Sequence, residues 1–191
     1  IGVRLVGSEM CIRDSLNTFT MNINLHARNI DTGFRTAVYA MGEFAMSRLV
    51  PSKRLRNNIT LNIHLRHHSE NGEAMISEHA NPKRPREFKI IIDPHRAKED
   101  DYSRELTETE WGHDILKTLA HELVHVKQYV LGELKPVHNG FVFKKNLYQP
   151  NNLLEYFEQP FEIEAYGREK GLLVAFLGRW KEIQAELGIT F

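Results

Sequence analysis

Apolar residues recur along this chain at two periods, and each change of period marks a change of element. In residues 31–49, DTGFRTAVYAMGEFAMSRL, the apolar positions Phe34, Val38, Met41, Ala45 and Leu49 step by three and four. That is the spacing of one buried face of an α-helix. Pro51 closes it, because a proline ring cannot continue the helical hydrogen-bond ladder. The next segment, NITLNIHLRHH, alternates strictly. Ile59, Leu61, Ile63 and Leu65 share one face, and Thr60, Asn62, His64 and Arg66 share the other. A period of two predicts a half-buried strand. Asn71-Gly72 is a turn signal, after which EAMISEHA predicts a shorter strand. NPKRPR, with two prolines, reads as a loop. EFKIIIDP predicts a third strand, ended by Pro94. AKEDDYSRELTETEW is charged and reads as a surface loop, with Thr107 or Thr109 placed to cap the next helix.

Helical spacing returns in DILKTLAHELVHVKQYVLGEL, where Ile115, Leu119, Leu123, Val126 and Val130 form a second buried stripe and Gly132 is a stop. GFVFKKNLY alternates and predicts a short β-hairpin around Lys145-Asn146. A last helical region is predicted from about Pro160 to Leu187, broken near Gly171 or Gly178. Pro160 suits a first helical turn. The fold class is therefore α+β: an N-terminal helix, a small three-stranded twisted sheet, a motif helix, a short hairpin and a C-terminal helix, forming a single domain over residues 21–191. IGVRLVGSEMCIRDS shows neither period, and it lacks the apolar core and cleavage site of a signal peptide. It resembles translated linker sequence, so residues 1–20 are expected to be a non-native or disordered leader, with the natural chain starting near Met21.

Composition narrows the function classes. The chain has 191 residues, 41% of them hydrophobic, with 25 basic and 25 acidic side chains. That balance demands neither nucleic acid nor a charged membrane. The longest apolar run, GLLVAFLG, is far too short to span a bilayer, so no membrane partner is expected. Cys11 is the single cysteine, which rules out an internal disulfide and a thiolate metal site. A reducing cytoplasm suits such a chain, and a cytoplasmic location is expected, the host cytoplasm if the chain is phage-encoded. The basic clusters Lys53, Arg54, Arg56 and Lys83, Arg84, Arg86 read as solvated loops. His64, His67, His68, His79, His95 and His113 read as surface residues of strands and loops.

The candidate chemistry lies in the pentapeptide HELVH, His121 to His125. Two histidines four apart stand on one helical face, one turn from each other. Both imidazoles can therefore grip one zinc ion, and Glu122 beside the first can act as general base on a water activated there. A catalytic zinc needs three protein ligands and an open fourth position. Downstream, LLEYFEQPFEIEAYGREK sets Glu162 and Glu164 in the first turn of the last helix, where the helix dipole favours acids. Residues two apart do not share a face, so the two point in different directions. Ala165 is small enough to let this helix pack closely on the HELVH helix.

HELVH followed by the Glu-Ile-Glu-Ala-Tyr stretch resembles the gluzincin pattern, in which a second helix brings a Glu three residues before a small residue. The resemblance implies that Glu162 is the third metal ligand, with Ala165 as the small residue. The Asp or Asn that often follows the alanine in such families is here Tyr166. The stretch KPVHNGFVFKKN also resembles SprT-like zinc proteases, in which a third His stands in a His-Gly-x-x-Phe setting. In this chain Asn139 separates His138 from Gly140. The candidates for third ligand rank Glu162, then His138, then Glu164. The resemblance covers about residues 31–175. It implies a zincin-like core, a Zn²⁺ cofactor and a metallopeptidase hydrolysing a peptide or protein substrate, of a phage-type or SprT-like kind. Tyr129, Tyr148, Tyr156 and Tyr166 are candidates to donate to the oxyanion of the transition state. A DNA-associated protease or regulatory module and a non-catalytic zinc-stabilised domain are the alternatives. DNA as a partner has no support in the charge balance, and the oligomeric state is left open.

Overall fold

A computed structural model of the chain describes residues 21–95 and 106–187. The expected leader over 1–20, Cys11 included, and residues 96–105 of the expected charged loop lie outside the described residues. Among the described residues the architecture is mixed α+β, with five helices and two small sheets. The chain opens with β1 (Asn22–His26), then α1 (Thr32–Leu49) and a single turn, α2 (Lys53–Arg56). Strands β2 (Thr60–Leu65), β3 (Gly72–Ile76) and β4 (Glu87–Ile92) come next, and then the long helix α3 (Glu108–Val130). A second sheet is made of β5 (Leu134–Val137), β6 (Gly140–Phe143) and β7 (Asn146–Tyr148). The short α4 (Leu153–Phe157) leads into α5 (Pro160–Leu187).

The main sheet has four strands where three are expected, in the order β1-β2-β4-β3. The added strand is β1, NINLH, which lies parallel to β2 with Ile23 beside Leu61 and Leu25 beside Ile63. β4 lies parallel to β2 on its other side, and β3 is the antiparallel edge strand. The alternation in β2 is as expected: Leu61, Ile63 and Leu65 are buried, and Thr60, Asn62 and His64 are half-exposed. The inner face meets α1 and α3 in one core that includes Val38, Met41, Ile63, Ile90, Leu119 and Leu123. Burying such a side chain fully contributes about 1.5–3 kcal/mol each.

The helix ends are chemically specified. Asp31 caps α1 by accepting the Phe34 amide at 2.8 Å. Thr107, not Thr109, caps α3 in a reciprocal box with Glu110. At the other end of α3, Gly132 takes φ +70°, and the amides of Gly132 and Glu133 bond back to Tyr129 and Gln128 at 3.0 and 2.8 Å. This is the left-handed helix stop that glycine favours. The expected hairpin gains a third strand: β5 pairs with β6, and β6 turns into β7 at Lys144 and Lys145, both with positive φ. α5 is continuous over 28 residues, without the breaks expected near Gly171 and Gly178. An added Cβ at either glycine would meet nothing. The buried stripe Phe161, Ala165, Leu172, Phe176 and Trp180 holds the helix on the core regardless. Among the described residues no helix is long and apolar enough to cross a membrane.

Candidate metal centre

From Leu119 to Val130 every residue of α3 is buried. The helix passes through the middle of the molecule, with α1 and the sheet around it and α5 lying across it. Polar side chains on such a segment must find partners, because an unpaired buried polar group costs several kcal/mol. His121, Glu122, His125, Lys127 and Gln128 are all buried there. Most of their partners come from α5.

His121, His125 and Glu162 form a buried group able to hold a metal ion, the one such group among the described residues. The two Nε2 atoms lie 3.2 Å apart. Glu162 Oε2 is 3.3 Å from His121 Nε2, and Glu162 Oε1 is 3.2 Å from His125 Nε2. The Glu162 carboxylate thus spans the two rings, one oxygen toward each Nε2.

The outer nitrogens of both rings are fixed by acceptors. His121 Nδ1 lies 2.9 Å from Glu169 Oε2, and His125 Nδ1 lies 3.0 Å from Gln128 Oε1. The Gln128 amide is oriented in turn, since its Nε2 donates to the Phe161 carbonyl at 3.0 Å. An acceptor at each Nδ1 keeps a proton there, so that each ring in its neutral form carries its lone pair on Nε2, toward the cluster. Gln128 also joins Glu164, which bonds Lys127 Nζ at 2.8 Å, and Lys127 bonds Glu133 at 2.6 Å. This ion network ties α3 to α5 beneath the site.

The electrostatics arise from burial and pairing. Burial works to lower the His121 pKa, but hydrogen bonds with Glu162 and Glu169 outweigh it and carry it up to about 9. His125 is raised for a similar reason, against its own burial, by Glu162. Burial would raise Glu162, yet bonds from His121, His125 and the Tyr156 hydroxyl hold it down at about 2. Glu122 behaves differently. Burial pushes its carboxyl up to about 7, only partly opposed by His125 and His121. A Cβ added at Gly72 would meet Glu122 Oε1 at 2.5 Å and Thr118 Cγ2 at 2.7 Å. The turn glycine at the start of edge strand β3 is therefore what lets the backbone close on the glutamate.

The structure separates the three candidates for third ligand. Glu162 faces the imidazoles. Glu164 turns away to Lys127, Gln128 and Arg168. His138 is exposed in the turn joining β5 to β6. Among the tyrosines, Tyr129 is buried against Phe88, and Tyr156 gives its hydroxyl to Glu162. Tyr166 stands with its ring edge-on to His121, centroids 4.5 Å apart, and remains half exposed. Of the histidines read as surface residues, His113 belongs to α3 rather than a loop. His67 and the backbones of His68 and His95 converge on buried Asp93. Arg56 bonds the Val50 and Pro51 carbonyls rather than lying free in solvent.

Sequence patterns alone do not single out Glu169 and Gln128, though a signal exists. Gln128 follows His125 by three and His121 by seven, and Glu169 follows Glu162 by seven. Residues at these spacings share a helical face. Compared with known proteins, the chain matches no family model, no curated protein and no solved structure.

Proposed function

We propose that this protein is a zinc-dependent metallopeptidase with a zincin-like core, in which His121, His125 and Glu162 hold one zinc ion. The observation that carries the reading is the buried donor cluster. The two Nε2 atoms lie 3.2 Å apart, the spacing of about 3.3 Å that tetrahedral zinc with bonds of about 2.0–2.1 Å sets between its ligands. Glu162 turns one oxygen toward each ring, and one donor atom from each of the three residues falls within 4.8 Å of the others. No fourth His, Cys, Asp or Glu among the described residues joins the group, which supports an open coordination position over a closed structural site. When bound, zinc supplies a Lewis acid that polarises a peptide carbonyl and acidifies water.

The remaining roles belong to the chain itself. Glu122, with a carboxyl poised near neutrality, takes the proton of the attacking water and returns it to the leaving amine. β3 offers the unpaired side of an edge strand beside Glu122, and an extended substrate can pair with it through backbone hydrogen bonds. Tyr166, whose ring stands edge-on to His121 and is half exposed, is the candidate to donate its hydroxyl to the oxyanion that develops on the carbonyl. Glu169 and Gln128 hold the two imidazoles in the tautomer that binding needs.

The test is Glu122→Gln, assayed on denatured protein and peptide mixtures with the zinc-loaded protein. Turnover is expected to fall about 10²–10⁴-fold with zinc content unchanged, the range that loss of a general base produces. Undiminished hydrolysis by the Gln variant would overturn the role of Glu122, and absence of hydrolysis in the wild type across such mixtures would overturn the peptidase reading.

A further inference from the structure

At the far end of α3 from the metal ligands lies a cleft of about 770 Å³ whose lining includes His26, Arg28, His64, Arg66, His95 and Trp111. A helix rises 1.5 Å per residue, so Trp111 stands roughly 15 Å along α3 from His121. The two sites share no residue. The cleft sits just outside the carboxyl ends of the parallel strands β1, β2 and β4, the place where open sheets with parallel strands commonly receive ligands.

The charge of this cleft is one-sided. Among the described residues its lining holds two guanidiniums and three imidazoles, and no carboxylate. Arg28 and Arg66 have no hydrogen-bond or ion-pair partner for their side chains among the described residues. Two acids next to lining residues in sequence, Asp31 and Asp93, are already engaged. Asp31 caps α1, and Asp93 takes the His67 ring and the backbone amides of His68 and His95. His26 and His64 stack across β1 and β2 with centroids 4.4 Å apart and planes 9° from parallel. Burial lowers the pKa of His64, and its charged neighbours His26, Lys89 and Arg66 all push the same way. Trp111 gives the cleft a firm wall, since its Nε1 donates to the Pro94 carbonyl at 2.8 Å and its ring packs on Phe34.

Unneutralised arginines in a concave site are the complement of a phosphate, whose oxygens accept the forked N–H donors of guanidinium. The volume falls in the range of small-molecule pockets and far exceeds what a bare phosphate fills. We infer that this cleft is a second binding site, separate from the metal centre, for the phosphate group of a small anion of nucleotide size. Arg28 and Arg66 clamp the phosphate, and the imidazole pair with Trp111 faces the rest of the molecule.

The test is calorimetric titration of the full chain at low salt with inorganic phosphate, adenosine monophosphate and a single-stranded oligonucleotide. Arg28→Ala, Arg66→Ala and the double variant run in parallel. Both arginines are exposed, so their removal leaves the core intact. The mononucleotide is expected to bind more tightly than phosphate, and each substitution should weaken it about tenfold, as loss of a charge-assisted contact does. Zinc content should not change. Failure of phosphate and mononucleotide to bind, or binding that the double variant leaves undiminished, would overturn the site. Binding of the oligonucleotide alone would replace it with a nucleic-acid surface.

Discussion

The two ends of α3 handle charge in opposite ways. Around His121 and His125 most of the buried polar groups are paired: imidazole against carboxylate, amide against carbonyl, Lys127 against two glutamates. Around Trp111, cations crowd a cleft with no acid among its described lining residues. A buried cluster that is not compensated would destabilise the fold, so compensation at the first end is a condition of folding as much as of function. Exposed cations carry no such penalty, because water screens them. Their lack of partners costs the fold nothing and leaves the guanidiniums free to take up an anion, whereas the His121, His125 and Glu162 side chains already face one another in a group that could hold a metal ion.

Three expected outcomes sharpen this contrast. The largest concerns Lys127, which is 7% exposed and neutralises Glu133 and Glu164 beneath the site. Lys127→Ala removes the cation that pairs with Glu133 and one of three that face Glu164, beside Arg168 and Lys144, and should cost about 3 kcal/mol, the low end for a broken buried ion pair. Chemical denaturation measures it, and a loss under about 1 kcal/mol, the scale of an exposed pair, would show that the network is not needed for stability.

The second concerns Gly72. Its substitution by alanine forces a Cβ onto Glu122 Oε1 and Thr118 Cγ2. The glutamate end is mobile enough to give way, so the expected loss of stability is about 1 kcal/mol, while turnover should fall about 10–100-fold because the base is displaced. Zinc content should be unchanged. Unaltered turnover would dissociate Gly72 from Glu122.

The third and smallest effect is a pH slope. In the metal-free protein His121 titrates at about 9, above its ordinary 6.5, and Glu162 at about 2, below its ordinary 4.5. The stability His121 contributes is complete below pH 6.5 and is lost as pH rises through about 9. The stability from Glu162 is complete above pH 4.5 and is lost as pH falls through about 2. The metal-free cluster is therefore firmest between about pH 4.5 and 6.5. A metal ion must displace the His121 proton, so apparent zinc affinity should rise about tenfold per pH unit between about pH 7 and 9. Competition against a chelator of known affinity measures this, and a flat profile would contradict the raised pKa of His121.

Much of this is legible in the residues, for physical reasons. HELVH announces itself because two histidines four apart on one helix are local. Glu162 is reachable through Pro160, Ala165 and the spacing of a helix start. Glu169 and Gln128 are harder, since a residue that orients a ligand ring is distinguished from a surface acid or amide only by what lies across from it. β1 escapes the pattern because NINLH directly follows residues 1–20, which carry no periodicity, and its pairing partner is 38 residues away at Thr60. β5 escapes it because Pro136 argues against a strand. The proline is tolerated there because β5 is an edge of its sheet, where a missing amide removes no ladder bond. The glycines of α5 suggest breaks, but they face open space while the buried stripe on the other side keeps the helix whole.

The most direct measurement is metal content by mass spectrometry on untagged wild type beside Glu162→Ala, Glu164→Ala and His138→Ala. The account predicts about one zinc per chain in the wild type, retained in the Glu164 and His138 variants and lost in the Glu162 variant. Zinc lost with His138 and kept without Glu162, or a wild type that takes up no zinc on reconstitution, would contradict it.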